Sequence, residues 1–264
     1  MRHFRGNILD AQNPDKHRLF FDNNADVLLV AHLDTVCSPK LLKTTKKRIW
    51  GQGLDDRLGC YIAYKLQYKH GLDLLLTDHE EAGQTTAQYH KCAEYNWIAE
   101  FDRAGSDAVT YDQDCPAFRK ALEDFWVLGW GSFSDICELE TTACCVNIGI
   151  GYQHAHSKDS YADKEVMRQA IAKFQEFYAL HKSTKFVIDN SMAFGRWGFQ
   201  SPQYSKYDYA YELSKPDPDN QAEREIAEQW KICDHCGLGQ AENIFGYLIC
   251  RDCLEYLFET SAVR

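Results

Sequence analysis

Four short, mostly apolar runs alternate with amphipathic stretches between about residues 27 and 188, and this alternation limits the possible fold more than any other feature. The runs are Val27–Ala31 (VLLVA), Leu72–Thr77 (LDLLLT), Trp97–Phe101 (WIAEF) and Cys144–Ile150 (CCVNIGI). Runs of this kind, bounded by polar residues or glycine, fit strands inside a sheet that is covered on both sides. Between them, Arg57–His70, Gly83–His90, Pro116–Phe125 and Ala162–His181 read as helices. In the last, Val166, Ala170, Ile171, Phe174, Phe177 and Tyr178 recur at helical spacing. The alternation predicts an α/β fold, with a mainly parallel central sheet and helices on both of its faces.

The texture changes after this region. Residues 190–220 are rich in Tyr, Ser, Pro and Asp without a sustained period and read as an arm or linker. A helix over Gln221–Trp230 leads into a cysteine-rich end. Three parts are therefore expected: a main domain over 1–189, the arm over 190–220, and a helix with a small metal module over 221–264. The apolar fraction of 45% suffices for a sizeable core, and a net charge of −10 argues against a nucleic-acid-binding surface. Met1–Asp10 lacks the apolar stretch of a secretory leader, and no run approaches the ~20 apolar residues of a membrane span. The expected location is the cytoplasm, with no membrane partner. There, the eleven cysteines serve as reduced thiols or metal ligands rather than disulfides. Seven (Cys37, Cys60, Cys92, Cys115, Cys137, Cys144 and Cys145) lack metal spacing and are expected to pack as small buried residues.

Histidines and carboxylates gather at the strand ends. His32 and Asp34 (AHLDTV) follow the first run, where ligand sites of open α/β sheets lie. A metal-bound histidine commonly hands its other ring N–H to a carboxylate, and Asp34 is placed for that. Asp55 and Asp56 (WGQGLDDRLGC) follow two glycines at a helix start, where acidic residues also serve as caps. Glu80 and Glu81 (TDHEEAG) follow the second run. Adjacent carboxylates are costly unless a cation or proton relieves them, and chemistry divides such a pair into ligand and base. Asp102 follows the third run, and His154 and His156 stand in a glycine-flanked loop after the fourth. Two histidines with three carboxylates form an N/O donor set that suits zinc, with manganese or cobalt as substitutes.

In this order, His-x-Asp, Gly-x-Gly-x-Asp-Asp-Arg-x-Gly, Glu-Glu, Asp and His, the chain resembles the co-catalytic zinc exopeptidases. That group includes peptidase T, the glutamate carboxypeptidases and aminoacylases, and the glutamyl and tetrahedral aminopeptidases. The likeness runs over about residues 27–157 and rests on AHLDTV, LDDRLG and HEEAG in combination. It implies a three-layer α/β sandwich with two zinc ions. His32 and Asp102 would hold one, Glu81 and His156 the other, and Asp55 would bridge them. Glu80 would be the general base and Asp34 the orienting carboxylate. Asp55 is preferred to Asp56 because the family places a small glycine four residues after the bridging Asp, where Gly59 stands. The resemblance also implies a cis peptide after Asp55. His156 is preferred to His154 by the pattern Gly-Tyr-x-x-x-His-Ser. The implied reaction is metal-dependent hydrolysis of an amide or peptide bond in a small peptide or an N-acyl amino acid. The chain departs from the pattern in one respect: only 53 residues separate Asp102 from His156, too few for the lid domain that many members carry. Tyr152, His154, Arg103 and Asp135 are the candidates to replace the lid's oxyanion or substrate-binding residue.

The C-terminal end carries Cys233-x-x-Cys236 and Cys250-x-x-Cys253, a spacing that suits a zinc ribbon. Four thiolates close a tetrahedral shell, so this third zinc would be structural, stabilising a unit too small for its own core. The mixed charges around it favour a protein contact, or a simple staple of the terminus, over a nucleic-acid reader. A contrasting reading makes the chain a non-catalytic metal-binding adaptor acting through this ribbon.

Overall fold

The computed structural model of the protein describes residues 6–189, together with the backbone of residues 241–244 and 247–250. The chain divides into two compact units, the larger spanning Asn7–Pro202. In the smaller, β11 (Ala241–Ile244) and β12 (Tyr247–Cys250) form an antiparallel hairpin with Ala241 opposite Cys250. The 190–220 arm, the 221–230 helix, Cys233, Cys236 and Cys253 lie outside the described residues.

The larger unit is built on one ten-stranded sheet. Its strands are β1 (Gly6–Leu9), β2 (Arg18–Phe21), β3 (Val27–His32), β4 (Lys40–Thr44), β5 (Arg48–Gln52), β6 (Asp73–Thr77), β7 (Trp97–Ala104), β8 (Ala108–Val109), β9 (Cys145–Gln153) and β10 (Tyr161–Asp163). The spatial order is β1-β2-β6-β3-β7-β9-β10-β5-β4, with β8 on β9. The four predicted strands are its centre, and β6, β3, β7 and β9 are mutually parallel. Around them β2, β4, β5, β8 and β10 pair antiparallel, so the sheet is mixed rather than mainly parallel. These flanking strands are short, all but β8 are partly exposed, and the 40–52 hairpin is mostly polar, so they lack the continuous apolar signal of the buried centre.

Helices on both faces were expected, but α1 (Leu54–His70), α2 (Pro116–Glu123) and α3 (Lys164–His181) all pack on one face. Side chains alternate across a strand. Thus Val27, Leu29 and Ala31 of β3, with Trp97, Ala99 and Phe101 of β7, join the cluster that contains Ile62, Phe118, Phe174 and Phe177. Trp97 meets Phe174 and Phe177 edge-on, with centroids 5.8 and 5.1 Å away, and its indole N–H donates to the His181 carbonyl at 3.0 Å. Leu28, Val30, Leu75 and Ile98 face the other way, covered by Ala87, Tyr95, Ile136, Leu139 and Ala143 from loops and short 3-10 turns. The predicted helix over 83–90 is one such turn, Thr86–Tyr89. Two β-branched threonines weaken the helix there, and the Thr85 hydroxyl instead accepts the Ala87 N–H at 3.0 Å. α3 begins at Lys164 because the Asp163 carboxylate caps it, accepting from Glu165 and Val166 N–H. The seven cysteines whose side chains are described form no disulfide with one another. Cys144 and Cys145 are buried as expected, whereas the other five are only partly so. No helix among the described residues is long and apolar enough to cross a membrane.

Candidate metal centre

The carboxyl ends of β3, β6, β7 and β9 converge, and each delivers an expected side chain. His32 is the last residue of β3 and is fully buried. Its Nε2 lies 3.3 Å from Asp55, 3.7 Å from Glu80 and 3.7 Å from Asp102. On the opposite side His156 Nε2 lies 2.9 Å from Glu81 and 3.1 Å from Asp55. The two histidines face different oxygens of Asp55, Oδ1 for His32 and Oδ2 for His156. His154 does not join them, and its ring sits beside Tyr161 instead.

Local backbone chemistry places these groups. Asp55 and Asp56 stand at the start of α1 in non-helical conformation, joined by a cis peptide, so the regular helix begins at Arg57. Gly53, at φ 65°, caps that start from the left-handed region that glycine enters without strain. Asp56 is fully buried, and its carboxylate accepts the Gly59 N–H at 3.0 Å and the His32 N–H at 3.3 Å. One oxygen or nitrogen each from His32, Asp56 and Asp102 fall within 4.8 Å of one another, as do those of His32, Asp55 and Glu81. Asp56 is the poorer ligand of the two aspartates, because both its oxygens already accept backbone N–H groups. Asp34 does more than face the imidazole. Its carbonyl oxygen is 2.9 Å from His32 Nδ1, while its carboxylate accepts Glu80 N–H at 3.2 Å and Glu81 N–H at 3.0 Å. It therefore fixes the turn that presents both glutamates.

The centre holds more acid than its histidines can neutralise. Burial, reinforced by Asp102, pushes Glu80 up to about 9, and burial with the neighbouring Asp55 pushes Asp102 up to about 7. Hydrogen bonds to Asp55 and Glu81 raise His156 to about 10. Burial opposes the charge on His32, but Asp102, Asp34 and Asp55 outweigh it and its pKa is raised. Burial likewise opposes ionisation of Asp55, yet His156 and His32 hold its pKa low. Asp34, Asp55, Glu80, Glu81 and Asp102 thus surround two imidazoles, and carboxylates so crowded need protons or cations. His32 Nε2 and Glu81 Oε1 are both buried without a hydrogen-bond partner. An orphaned imidazole nitrogen ringed by carboxylate oxygens fits a divalent cation of the zinc class.

No family model matches the chain, and no curated protein matches it by sequence. Solved structures do match its fold. One is an aminopeptidase, PepT, from Bacillus cereus ATCC 10987, at TM-score 0.51 and 10% identity over 66% of this chain and 87% of that one. Another is a tripeptidase from Staphylococcus aureus subsp. aureus Mu50, at TM-score 0.50 and 10% identity over 68% of this chain and 89% of that one. The fold is that of these peptidases.

Beneath the centre lies a polar layer that the motif reading missed. Asn147 of β9 accepts the Asp102 N–H with Oδ1 at 3.0 Å and donates Nδ2 to the Asp102 carbonyl at 2.8 Å. It spans the point where the β7–β9 register slips between Glu100 and Arg103, replacing ladder bonds that the irregularity removes. Nδ2 also donates to Ser134 at 3.0 Å, and Ser134 in turn donates to the buried Glu100. Asp135, one of the proposed stand-ins for a lid residue, belongs to this layer: it accepts from Thr77 at 2.7 Å and from Thr85, and does not line the cleft. Burial raises the pKa of both Glu100 and Asp135. A sign was present in the sequence, since Glu100 and Asn147 interrupt the apolar runs WIAEF and CCVNIGI. Of the other stand-ins, Tyr152 donates its hydroxyl to Asp102 at 3.1 Å, and Arg103 pairs with Asp107.

Proposed function

We propose that the protein is a metal-dependent amide hydrolase that cleaves a peptide bond in a small peptide or an N-acyl amino acid. The observation that carries the reading is the Asp55 carboxylate, which turns one oxygen to each of two histidines beside the paired Glu80 and Glu81. In this reading His32 and Asp102 hold one zinc ion, Glu81 and His156 the other, and Asp55 serves both. Divalent cations held by these residues would supply Lewis-acid chemistry toward a carbonyl oxygen and toward water. The Glu80 carboxylate would take a proton from the attacking water and deliver it to the leaving nitrogen. Positive charge held beside Glu80 would favour its ionised form, the one that accepts a proton. Asp34 keeps Glu80 and Glu81 in their places through its two backbone bonds, and Tyr152 steadies Asp102.

Cys233, Cys236, Cys250 and Cys253 hold a separate structural zinc in the same reading. The β11–β12 hairpin falls between the two pairs in sequence, with Cys250 ending β12. The test is metal analysis with a screen of dipeptides and N-acyl amino acids, with and without chelator. About three zinc ions per chain and chelator-sensitive hydrolysis are expected. Glu80→Gln should keep the zinc and lose about three decades of rate. Unchanged activity in that variant would remove Glu80 from the mechanism, and a single zinc per chain would favour a non-catalytic adaptor.

A further inference from the structure

The chain is acidic overall, yet residues 35–54 carry five cations, Lys40, Lys43, Lys46, Lys47 and Arg48, and no carboxylate. This stretch contains the β4–β5 hairpin, which ends one side of the sheet. Lysines on an outermost strand keep it from pairing with another chain, and that accounts for Lys40 and Lys43 on β4. It does not account for Lys46, Lys47 and Arg48, which stand at the turn and the start of β5. With Thr45, Trp50 and Asp163 these three line a cavity of about 670 Å³, which shares no residue with the cleft over the metal centre.

The turn that carries them is held firmly. Thr45 N–H donates to the Arg48 carbonyl at 2.8 Å, and the Thr45 hydroxyl accepts Lys47 N–H at 3.3 Å and Arg48 N–H at 3.1 Å. The start of α3 ties it down as well. Lys164 N–H donates to the Lys47 carbonyl at 2.8 Å, and the Lys164 ammonium to the Thr45 carbonyl at 2.8 Å. The cations themselves are not neutralised. Arg48 lies opposite Asp163 in the β5–β10 register, but its guanidinium sits over the Tyr161 ring at 4.4 Å. The Asp163 carboxylate is engaged in capping α3. Among the described residues no carboxylate forms an ion pair with Lys46, Lys47 or Arg48.

Charge and size give the class of ligand. Lysine and arginine offer only donors, so the ligand has to bring negative charge and acceptor oxygens. A phosphate group carries about −1.5 to −2 with three acceptor oxygens, so two such groups match three cations. All 39 acidic residues of the chain lie outside residues 35–54, so a long polyanion would run onto acidic surface where a compact one would not. The cavity volume falls among small-molecule sites, roughly 300–1,000 Å³, which is more than inorganic phosphate fills. Trp50 supplies an aromatic side, and Lys43 stands over its ring 5.3 Å away as a further cation.

From this we infer that the cavity binds a small organic molecule carrying two or more phosphate groups, held by Lys46, Lys47 and Arg48. The site is separate from the proposed metal centre, and the inference does not depend on the hydrolase reading.

The test is calorimetric titration of the zinc-loaded full chain at about 0.1 M salt, where exposed charges still act over ~10 Å. The probes are fructose 1,6-bisphosphate, inorganic phosphate and a short oligouridylate. Wild type is compared with Lys46→Ala plus Lys47→Ala, and with Lys91→Ala plus Lys120→Ala, which removes the same charge elsewhere. All four lysines are exposed, so neither pair of changes threatens the fold. The bisphosphate should bind one to one, at least about tenfold tighter than inorganic phosphate. Loss of Lys46 and Lys47 should weaken it about tenfold or more, and the control pair should change it less than about twofold. No saturable binding of the bisphosphate, no advantage over inorganic phosphate, or affinity undiminished without Lys46 and Lys47 overturns the inference. Equal losses in both variants would reduce it to general electrostatic attraction, and tighter binding of the oligouridylate would replace it with a nucleic-acid site.

Discussion

Replacing Gly59 with alanine sets two physical effects against each other. Gly59 lies inside α1, where helix propensity alone makes alanine the better residue by about 1 kcal/mol. A Cβ at that position, however, would stand 2.1 Å from Asp56 Oδ1 and 2.7 Å from its Cγ. Asp56 is fully buried and cannot swing into water. To make room it must give up its bonds from Gly59 N–H and His32 N–H, each worth about 1–3 kcal/mol once a buried group is left unpaired. Overpacking adds about 1–3 kcal/mol. Relaxation of the helix start recovers part of this, so the net expectation is a loss of about 2–4 kcal/mol. In a domain of this size that lowers Tm by roughly 5–12 °C. Thermal and urea unfolding by circular dichroism, with zinc and with chelator, measure it. Zinc affinity should fall as well, because the lost His32 N–H contact anchors a proposed ligand. A Tm equal to or above that of the wild type would mean that propensity wins, and that the Asp56 packing does not constrain the centre.

Asn147→Leu leaves both backbone groups of Asp102 unpaired in the interior and should cost about 2–4 kcal/mol. It should also weaken zinc binding by about 10- to 100-fold, and unchanged zinc affinity in a competition assay would argue against a role in placing Asp102. His90 is buried against Phe20 with neither ring nitrogen bonded, and burial, with Arg18 adding, pushes its pKa down to about 4 from 6.5. The unfolded chain therefore takes up a proton that the folded one refuses, and the native state loses stability as pH falls from about 6.5 to 4. His90→Phe removes this term, so the wild type should lose about 2–3 kcal/mol relative to the variant across that window. Parallel pH–stability curves would refute it. Cys233→Ser with Cys236→Ser should remove about one zinc per chain and leave the other two, and loss of all three would show that the sites are not separate.

The primary structure determines the centre of this protein because continuous apolar runs admit few solutions. Val27–His32 and Trp97–Phe101 can bury both faces only inside a covered sheet, and their ends then place His32 and Asp102 on one edge. The strand-end motifs mark candidate donors for the same local reason, since adjacent carboxylates repel one another unless a proton or cation relieves them. Other features depend on neighbours distant along the chain. The choice of His156 over His154 is visible only where Glu81 and Asp55 come within 2.9 and 3.1 Å of one imidazole. The short strands of the sheet's flanks are amphipathic or polar, and pairing rather than composition makes them strands. Local pattern determines which residues can do chemistry, and tertiary packing decides which of them meet, because the distances that matter join residues scores of positions apart.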